Sequence, residues 1–466
     1  MSIVKNAKKI NDLIFEQSSI YNNKINSFHY LISLYGDIYR FFSLKKEQKS
    51  FKYYNPYFKN LKSYITQFPI YFFANIYNLI SLFFLSFRKN NIAIWSGDFY
   101  NKKTNGDFRL GNLINEFELK KIKYVELIRI KNVTYKRFFL NLLNRKKLVI
   151  YYDSLEFLSL FCNEKKVKIE VKDYDKQLNK FLTKFFSYHT RERFQYSLFI
   201  KLFEVLKINK LIVWEVSYRQ IYLFLAAKKL NIKSIGFMHG FSFNTYMSYE
   251  HYSFYQGTKK LSPDMFIVWS QFWKEYFLKN SKNYPNIKAW GPLRNNQTKS
   301  KINQLDKFKN ILILTEPLVN PISIYPYLQE LIKTGKYSLI FKLRDLECSF
   351  YNDLLNIDKD FSKYETRISL FEDSLKNIDL VIGSHSTAVL ESSIYNVPFL
   401  VLNTHKWGDY FELSSHYPNL FVNDTSEIIP KIEYLKKNKI NLDFISSKYF
   451  GTNNSINKII RWLEKN

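Results

Sequence analysis

From residue 91 onward the chain repeats one pattern: a short run of apolar residues, a polar turn, then a longer amphipathic stretch. The first series of runs is "IAIW" (92–95), "YVELIRI" (124–130), "KLVIYY" (147–152), "LIVWE" (211–215), "SIGFM" (234–238) and "MFIVW" (265–269). A second series holds "NILILTE" (310–316), "SLIFKLR" (338–344), "TRISLF" (366–371), "LVIG" (380–383), "PFLVL" (398–402) and "NLFV" (419–422). Runs this short and apolar suit strands buried on both faces, and the helical stretches between them supply the cover. That combination excludes an all-helical or all-antiparallel fold and predicts mainly parallel sheets.

Between the two series, "NIKAWGPLRNN" (286–296) reads as a strand ending in a Gly-Pro turn, and the polar "NNQTKSKINQLDK" (295–307) as a linker. The predicted architecture is therefore α/β, with two Rossmann-like domains in tandem. The expected layout is a helical N-terminal extension (1–90), a first Rossmann-like domain (91–296), a second (307–440) and a C-terminal helical segment (441–466) that includes the amphipathic "NKIIRWLEKN". No internal repeat is visible.

Hydrophobic residues form 46% and charged residues 24% of the 466 positions, which leaves ample material for folded cores. The formal net charge of +29 stands out. Lys shares its abundance with Asn, Ile, Phe and Tyr, as A/T-rich codon usage would produce. The cations are spread along the chain among acids, and no nucleic-acid module accompanies them, so nucleic acid is not an expected partner. An anionic membrane surface or an anionic substrate fits better. Cys162 and Cys348 lie far apart without metal-binding spacing, and "MSIVKNAKKINDLIFEQ" carries no apolar signal core. The expectation is a reduced, cytoplasmic protein, peripheral on the inner face of the plasma membrane.

Membrane contact is suggested by "FPIYFFANIYNLISLFFLSF" (68–87), which has no charge and is bracketed by Lys62 and by Arg88 and Lys89. Its length suffices to span a bilayer. Asn75, Asn78 and Ser81, three residues apart, place a polar stripe along one helical face. Pro69 is compatible with a first helical turn. An interfacial helix, a buried core helix and a true span all satisfy this pattern.

In open α/β sheets, ligands bind beyond the carboxyl ends of strands, so polar turns after predicted strands are the candidate sites. In "IGSHSTAVLESSIYNVP" (382–398), Gly383 permits a tight turn, and Ser384, His385, Ser386 and Thr387 then open a helix. Free backbone N–H groups with hydroxyls at a helix start can hold phosphate, although one hydroxyl is also what plain N-capping requires. Glu391, further along that helix, is placed to reach a sugar or ribose hydroxyl. In "SIGFMHGFSF" (234–243), His239 and Gly240 follow a strand, where a histidine can act as a base or position a phosphate. Glu215 ends "LIVWE", with Arg219 at i+4. It reads either as a strand-end carboxylate for catalysis or as half of a helical ion pair. Lys342 and Arg344 share one face of "SLIFKLRD" and could hold a diphosphate or a sugar carboxylate. Glu316 in "LTEP" is a further strand-end carboxylate. The loop 95–112, with Asp98 and Arg109, is assigned to an acceptor. The chain carries no GxxxxGK[ST], HExxH, GxSxG or intact GxGxxG after its first strand, and no resident cofactor or metal is expected.

Two Rossmann-like domains, "MHG" closing a strand in the first, and "KLR" followed by "SHSTAVLESSIYNVP" in the second resemble the GT-B glycosyltransferases of bacterial surface-polysaccharide biosynthesis. These make capsule, O-antigen and lipopolysaccharide. The likeness is greatest to enzymes using CMP-linked acidic sugars, such as Kdo transferases and polysialyltransferases. Wall-teichoic glycerophosphotransferases share a similar His-Gly turn and Ser-rich turn. The resemblance implies a metal-independent transferase moving a sugar from a nucleotide-sugar donor to a glycan or lipid-linked acceptor. It implies Glu215 and His239 as catalytic residues and Asp98, Arg109 and Arg219 on the acceptor side. The donor would be held by Gly240, Glu316, Lys342, Arg344, Gly383, Ser384, His385, Ser386, Thr387 and Glu391. Where those families carry Lys-x-His-Pro, this chain has Lys342-Leu343-Arg344-Asp345. A polyol-phosphate transferase using CDP-glycerol or CDP-ribitol, or a non-catalytic nucleotide-sugar or glycan-binding protein, would share the layout.

Overall fold

The computed structural model describes residues within 61–158, 189–240, 262–293 and 308–465, apart from short internal stretches. The chain divides into two compact units, Met1–Arg294 with Asn454–Asn466, and Asn295–Asn453. The expected linker, 295–307, lies outside the described residues.

The first unit opens with helix α1 (Leu61–Ser86), followed by β1 (Ile92–Trp95) and a two-stranded antiparallel ribbon of β2 (Tyr100–Asn101) and β3 (Gly106–Asp107). It continues through α2 (Gly111–Leu119), β4 (Val125–Ile128), α3 (Tyr135–Asn144), β5 (Val149–Tyr151), α4 (Tyr152–Phe157) and α5 (His189–Val205). The remainder is β6 (Lys210–Val213), α6 (Ile221–Lys229), β7 (Lys233–Phe237), β8 (Met265–Val268), α7 (Gln271–Asn280) and β9 (Ile287–Ala289). Its seven-stranded sheet has the order β5-β4-β1-β6-β7-β8-β9, and every pairing is parallel. All residues of β1, β4, β5 and β8 are buried, as strands covered on both faces must be.

The second unit contains β10 (Asn310–Leu314), α8 (Pro321–Lys333), β11 (Ser338–Lys342), α9 (Ser349–Ile357), β12 (Glu365–Arg367), α10 (Phe371–Ser374) and β13 (Leu380–Gly383). Then come α11 (Thr387–Glu391), β14 (Phe399–Leu402), α12 (Leu413–His416), β15 (Phe421–Val422), α13 (Ile428–Lys437) and α14 (Leu442–Phe450). Its six parallel strands are ordered β12-β11-β10-β13-β14-β15. Counted along each unit's own sheet, both orders begin 3-2-1-4-5-6, the doubly wound Rossmann arrangement. The α/β, two-domain expectation of GT-B type is what the molecule shows.

Two elements differ from the sequence expectation. The 441–466 segment is two helices rather than one: α14 ends at Gly451, whose φ is +74°, and α15 (Ser455–Lys465) belongs to the first unit. Ile459, Ile460 and Leu463 are buried there with Leu113, Ile114 and Phe117 of α2. Lys210 Nζ donates to Leu463 O at 2.7 Å, and Ser455 Oγ to Pro292 O at 2.7 Å, fixing both ends of the returning helix. Helix α1 begins at Leu61, so Pro69 falls inside it rather than in its first turn.

Candidate functional site

A 3-2-1-4 strand order places strands 1 and 4 side by side with their connections leaving toward opposite faces, which opens a crevice at their carboxyl ends. In the second unit these strands are β10 and β13, in register at Ile311 with Leu380 and Ile313 with Ile382. Beyond β10 the chain passes through Thr315, whose hydroxyl donates to Lys342 O at 2.7 Å, and reaches Glu316. Beyond β13 it turns through Gly383, Ser384 and His385.

Glu316 joins the two strand ends. Its side chain is only 3% exposed. One carboxylate oxygen accepts from Ser384 N at 2.7 Å, and the other from His385 N at 2.9 Å. His385 Nδ1 lies 2.6 Å from that second oxygen. Burial pushes the Glu316 carboxyl upward, but the His385 charge, its hydrogen bond and the two backbone N–H donors together hold it below its ordinary value. The carboxylate is therefore ionised at neutral pH and sits directly beside the imidazole. A β-carbon added to Gly383 would sit 2.9 Å from Glu316 Oε1 and 3.2 Å from a Leu314 methyl. Only glycine lets the turn approach the carboxylate so closely.

The rest of the cluster is fixed by short polar contacts. Ser384, almost fully buried, shares a hydrogen bond of 2.9 Å with Thr404 in the turn after β14. Ser386 is the N-cap of α11, its hydroxyl accepting from Ala388 N at 3.3 Å. Thr387 is the first helical residue and Glu391 the last, both half-buried. After these five residues the helix tightens into a 3₁₀ turn, Ser392–Tyr395, and stops at Asn396 with φ of +58°. Ser392 and Ser393 bond back to the carbonyls of Val389 and Leu390 and belong to this turn.

The reading of free backbone N–H groups across this turn needs correction. The amides of Ser384 and His385 are engaged by Glu316, and that of Ala388 by Ser386. Side chains, not those amides, are what the turn offers a ligand. Lys342 ends β11, one strand away from Glu316, and its ammonium donates to Leu343 O at 2.6 Å.

The corresponding place in the first unit lies at the ends of β1 and β6. Ser96 Oγ donates to Glu126 Oε1 at 2.7 Å, and Glu126 is buried within β4. The Arg109 guanidinium lies over the Trp214 ring, 3.8 Å from its centroid, and Trp214 stacks on Trp95 at 6.0 Å. Glu215, Arg219, His239, Asp98 and Arg344 lie outside the described residues. Gly240 is described and half-buried, after β7.

Thus the structure joins Glu316, Gly383, Ser384 and His385 into one cluster, and separately places Arg109 at a strand end in the first unit. Thr404, Ser96, Glu126 and Trp214 were not singled out in the sequence. Glu126 carried a readable signal, being an acid inside the otherwise apolar "YVELIRI". Thr404 carried none.

No family model matches the chain, and no curated protein matches it. Solved structures do. A Listeria monocytogenes protein assigned as a UDP-N-acetylglucosamine 2-epimerase aligns at 13% identity with a TM-score of 0.50, covering 81% of this chain and 96% of that one. S. aureus MnaA, solved with UDP, aligns at 12% identity and a TM-score of 0.50, with coverage of 81% and 96%. A glycosyltransferase from Rickettsia africae aligns at 10% identity and a TM-score of 0.46, covering 81% and 99%. At these identities the likeness is one of fold.

Proposed function

We propose that the chain is a glycosyltransferase that takes a sugar from a nucleotide-activated donor, with a CMP-linked acidic sugar as the first candidate, and delivers it to a glycan or lipid-linked acceptor. The observation that carries this reading is the Glu316–His385 pair at the β10/β13 switch point. There the fold offers a crevice, and the sequence lines it with a partly buried imidazole beside a buried carboxylate, with hydroxyls and with a glycine turn. With Nδ1 facing Glu316, His385 meets the donor through Nε2. Protonated, it stabilises negative charge as the nucleotide leaves. Ser386 and Thr387 hydroxyls would contact the phosphate, Glu391 a ribose hydroxyl, and Lys342 would add positive charge from the neighbouring strand. On the first unit, Arg109 and Trp214 would receive the acceptor, with Glu215 and His239 as the acid–base candidates. A cytoplasmic location at the inner membrane face suits such an acceptor.

The second reading is epimerisation of a nucleotide sugar, the activity for which the Listeria structure is named. One experiment separates the readings. The purified chain is incubated with CMP-sugars, UDP-N-acetylhexosamines and CDP-polyols, with and without a membrane-glycolipid extract, and products are resolved by mass spectrometry and NMR. Transfer requires nucleotide release that rises with acceptor. Conversion of a UDP-sugar to its C2 epimer without acceptor would replace the proposal, as would consumption of CDP-polyols alone. Donor binding with no turnover under any condition would leave a binding protein.

A further inference from the structure

Helix α1 is mounted with its polar stripe inward. Asn78 is fully buried and satisfies the end of β5, the edge strand of the first sheet: its Nδ2 donates to Tyr151 O at 2.9 Å, and Tyr151 N donates to its Oδ1 at 2.8 Å. The same Nδ2 lies 2.8 Å from Ser154 Oγ, and Asn75 donates to Ser154 O at 3.1 Å. The polar stripe of Asn75 and Asn78 therefore closes a sheet edge. The apolar face is what remains outside. Leu79 is 69% and Phe87 76% exposed, and Phe72 and Phe83 are exposed as well.

Helix α3 extends this surface. A Phe73–Phe139 ring contact at 6.1 Å joins the two helices, and Leu143 of α3 is 82% exposed. Neither helix contains an acidic residue. The exposed charges beside the patch are cations: Lys136 and Arg137 on α3, and Arg88 just past α1. A soluble protein rarely exposes a contiguous apolar surface of this kind without an occupant.

We infer that α1 and α3 together form a monotopic membrane-docking face that lies in the plane of an anionic bilayer, with the aromatic and leucine side chains among the acyl chains and the cations at the headgroups. Exposed apolar residues beside exposed cations, on two helices with no acid, fit a surface that is apolar within and negative at its boundary. A second copy of the chain fits less well, because neither helix carries an acid to meet Lys136 and Arg137 across an isologous contact of these same helices. Spanning fails on geometry. The helix passes the length test for a span, but crossing would tear Asn75 and Asn78 from β5 and α4. This inference is independent of the nucleotide reading.

The test is co-sedimentation of the full chain with vesicles of phosphatidylglycerol and phosphatidylcholine, against pure phosphatidylcholine. Binding is expected only with the anionic lipid and should weaken with salt. Lys136→Glu with Arg137→Glu should weaken it roughly twenty-fold or more. Leu79→Gln with Phe83→Gln should abolish it at unchanged thermal stability, because both side chains are exposed. In Leu79→Trp and Leu143→Trp, quenching by brominated lipids should report a depth of about 5–10 Å below the headgroups. Absence of binding to anionic vesicles at low salt would overturn the inference, as would indifference to both double substitutions. Quenching at the bilayer centre would convert the face to a span. A soluble dimer dissolved by Leu79→Gln, or slow hydrogen exchange across α1 and α3 before lipid is added, would assign the face to a second copy or to residues 1–60 and equally end the proposal.

Discussion

The two units share one strand order but furnish their switch points by different chemistry. In the second unit a carboxylate from the loop after strand 1 reaches across to the turn after strand 4, so Glu316 ties β10 to β13 through two amides and an imidazole. In the first unit the carboxylate sits on strand 2, where Glu126 accepts a hydrogen bond from Ser96, and strands 1 and 4 meet instead through Trp95 and Trp214 under Arg109. The second crevice is a tightly specified turn built on a buried carboxylate. The first is an aromatic shelf capped by a cation. Under the proposed function, the charged turn of the second unit would serve the leaving nucleotide and the aromatic shelf of the first the acceptor.

The contrast is broken most severely at Glu316. Glu316→Ala leaves two amides and the His385 ring without their shared acceptor in a buried site, at a cost of about 3–5 kcal/mol. Glu126→Gln should cost less, about 1 kcal/mol, because Gln keeps an oxygen that can accept from Ser96 and gives up only the charge. Urea unfolding at neutral pH compares the two directly. Equal losses would mean that the second unit's carboxylate has no special role. Nucleotide affinity should fall more than ten-fold in Glu316→Ala and stay within a few-fold in Glu126→Gln.

Acid separates the units further. The Glu316 carboxyl titrates near 4.3 in the unfolded chain and lower in the folded one, because His385 and two amides favour its charged form despite burial. The folded state therefore binds fewer protons than the unfolded state as pH falls below that range. The stabilisation is complete above the unfolded value and is lost as pH drops through the lowered, folded one. Urea midpoints taken between pH 7 and pH 3 should fall more steeply for the natural chain than for Glu316→Gln. Parallel curves would refute the ionised Glu316 carboxylate.

Much of this difference was legible in the sequence, for identifiable reasons. Short apolar runs are the direct imprint of a parallel sheet buried on both faces, so the strands and the α/β class could be read almost run by run. Gly383, Ser384 and His385 were visible because polar residues crowd a strand end. Glu316 was visible only as an isolated strand-end acid. Its bond to His385 depends on β10 lying beside β13, a long-range pairing that local patterns do not encode. The inward turn of Asn78 was equally hidden, since a polar stripe on an apolar helix looks the same whether it meets water or a sheet edge. The division of 441–466 turned on Gly451 and on a core to which Ile459 and Leu463 return across the sequence.

Gly383→Ala probes the second crevice more gently. The added methyl would press on Glu316 Oε1 at 2.9 Å and on Leu314 and Val389 at 3.2 and 3.3 Å. Overpacking of this kind costs about 1–3 kcal/mol. Because the methyl strikes the carboxylate itself, nucleotide affinity should drop alongside stability. A destabilised protein with unchanged affinity would detach the turn from the ligand.

The smallest effect belongs to the aromatic shelf and tests the other half of the comparison. Arg109→Lys keeps the charge but gives up the planar stack on Trp214, for which a flexible ammonium is a poor replacement. The loss in stability should be about 0.5–1 kcal/mol, the range of a cation–π contact that is not fully desolvated. If the shelf receives the acceptor, KM for the acceptor should rise a few-fold while donor KM is unchanged, and Trp214→Phe should repeat that split. The opposite split, with donor KM rising and acceptor KM constant, would place the nucleotide on the first unit and reverse the division of labour.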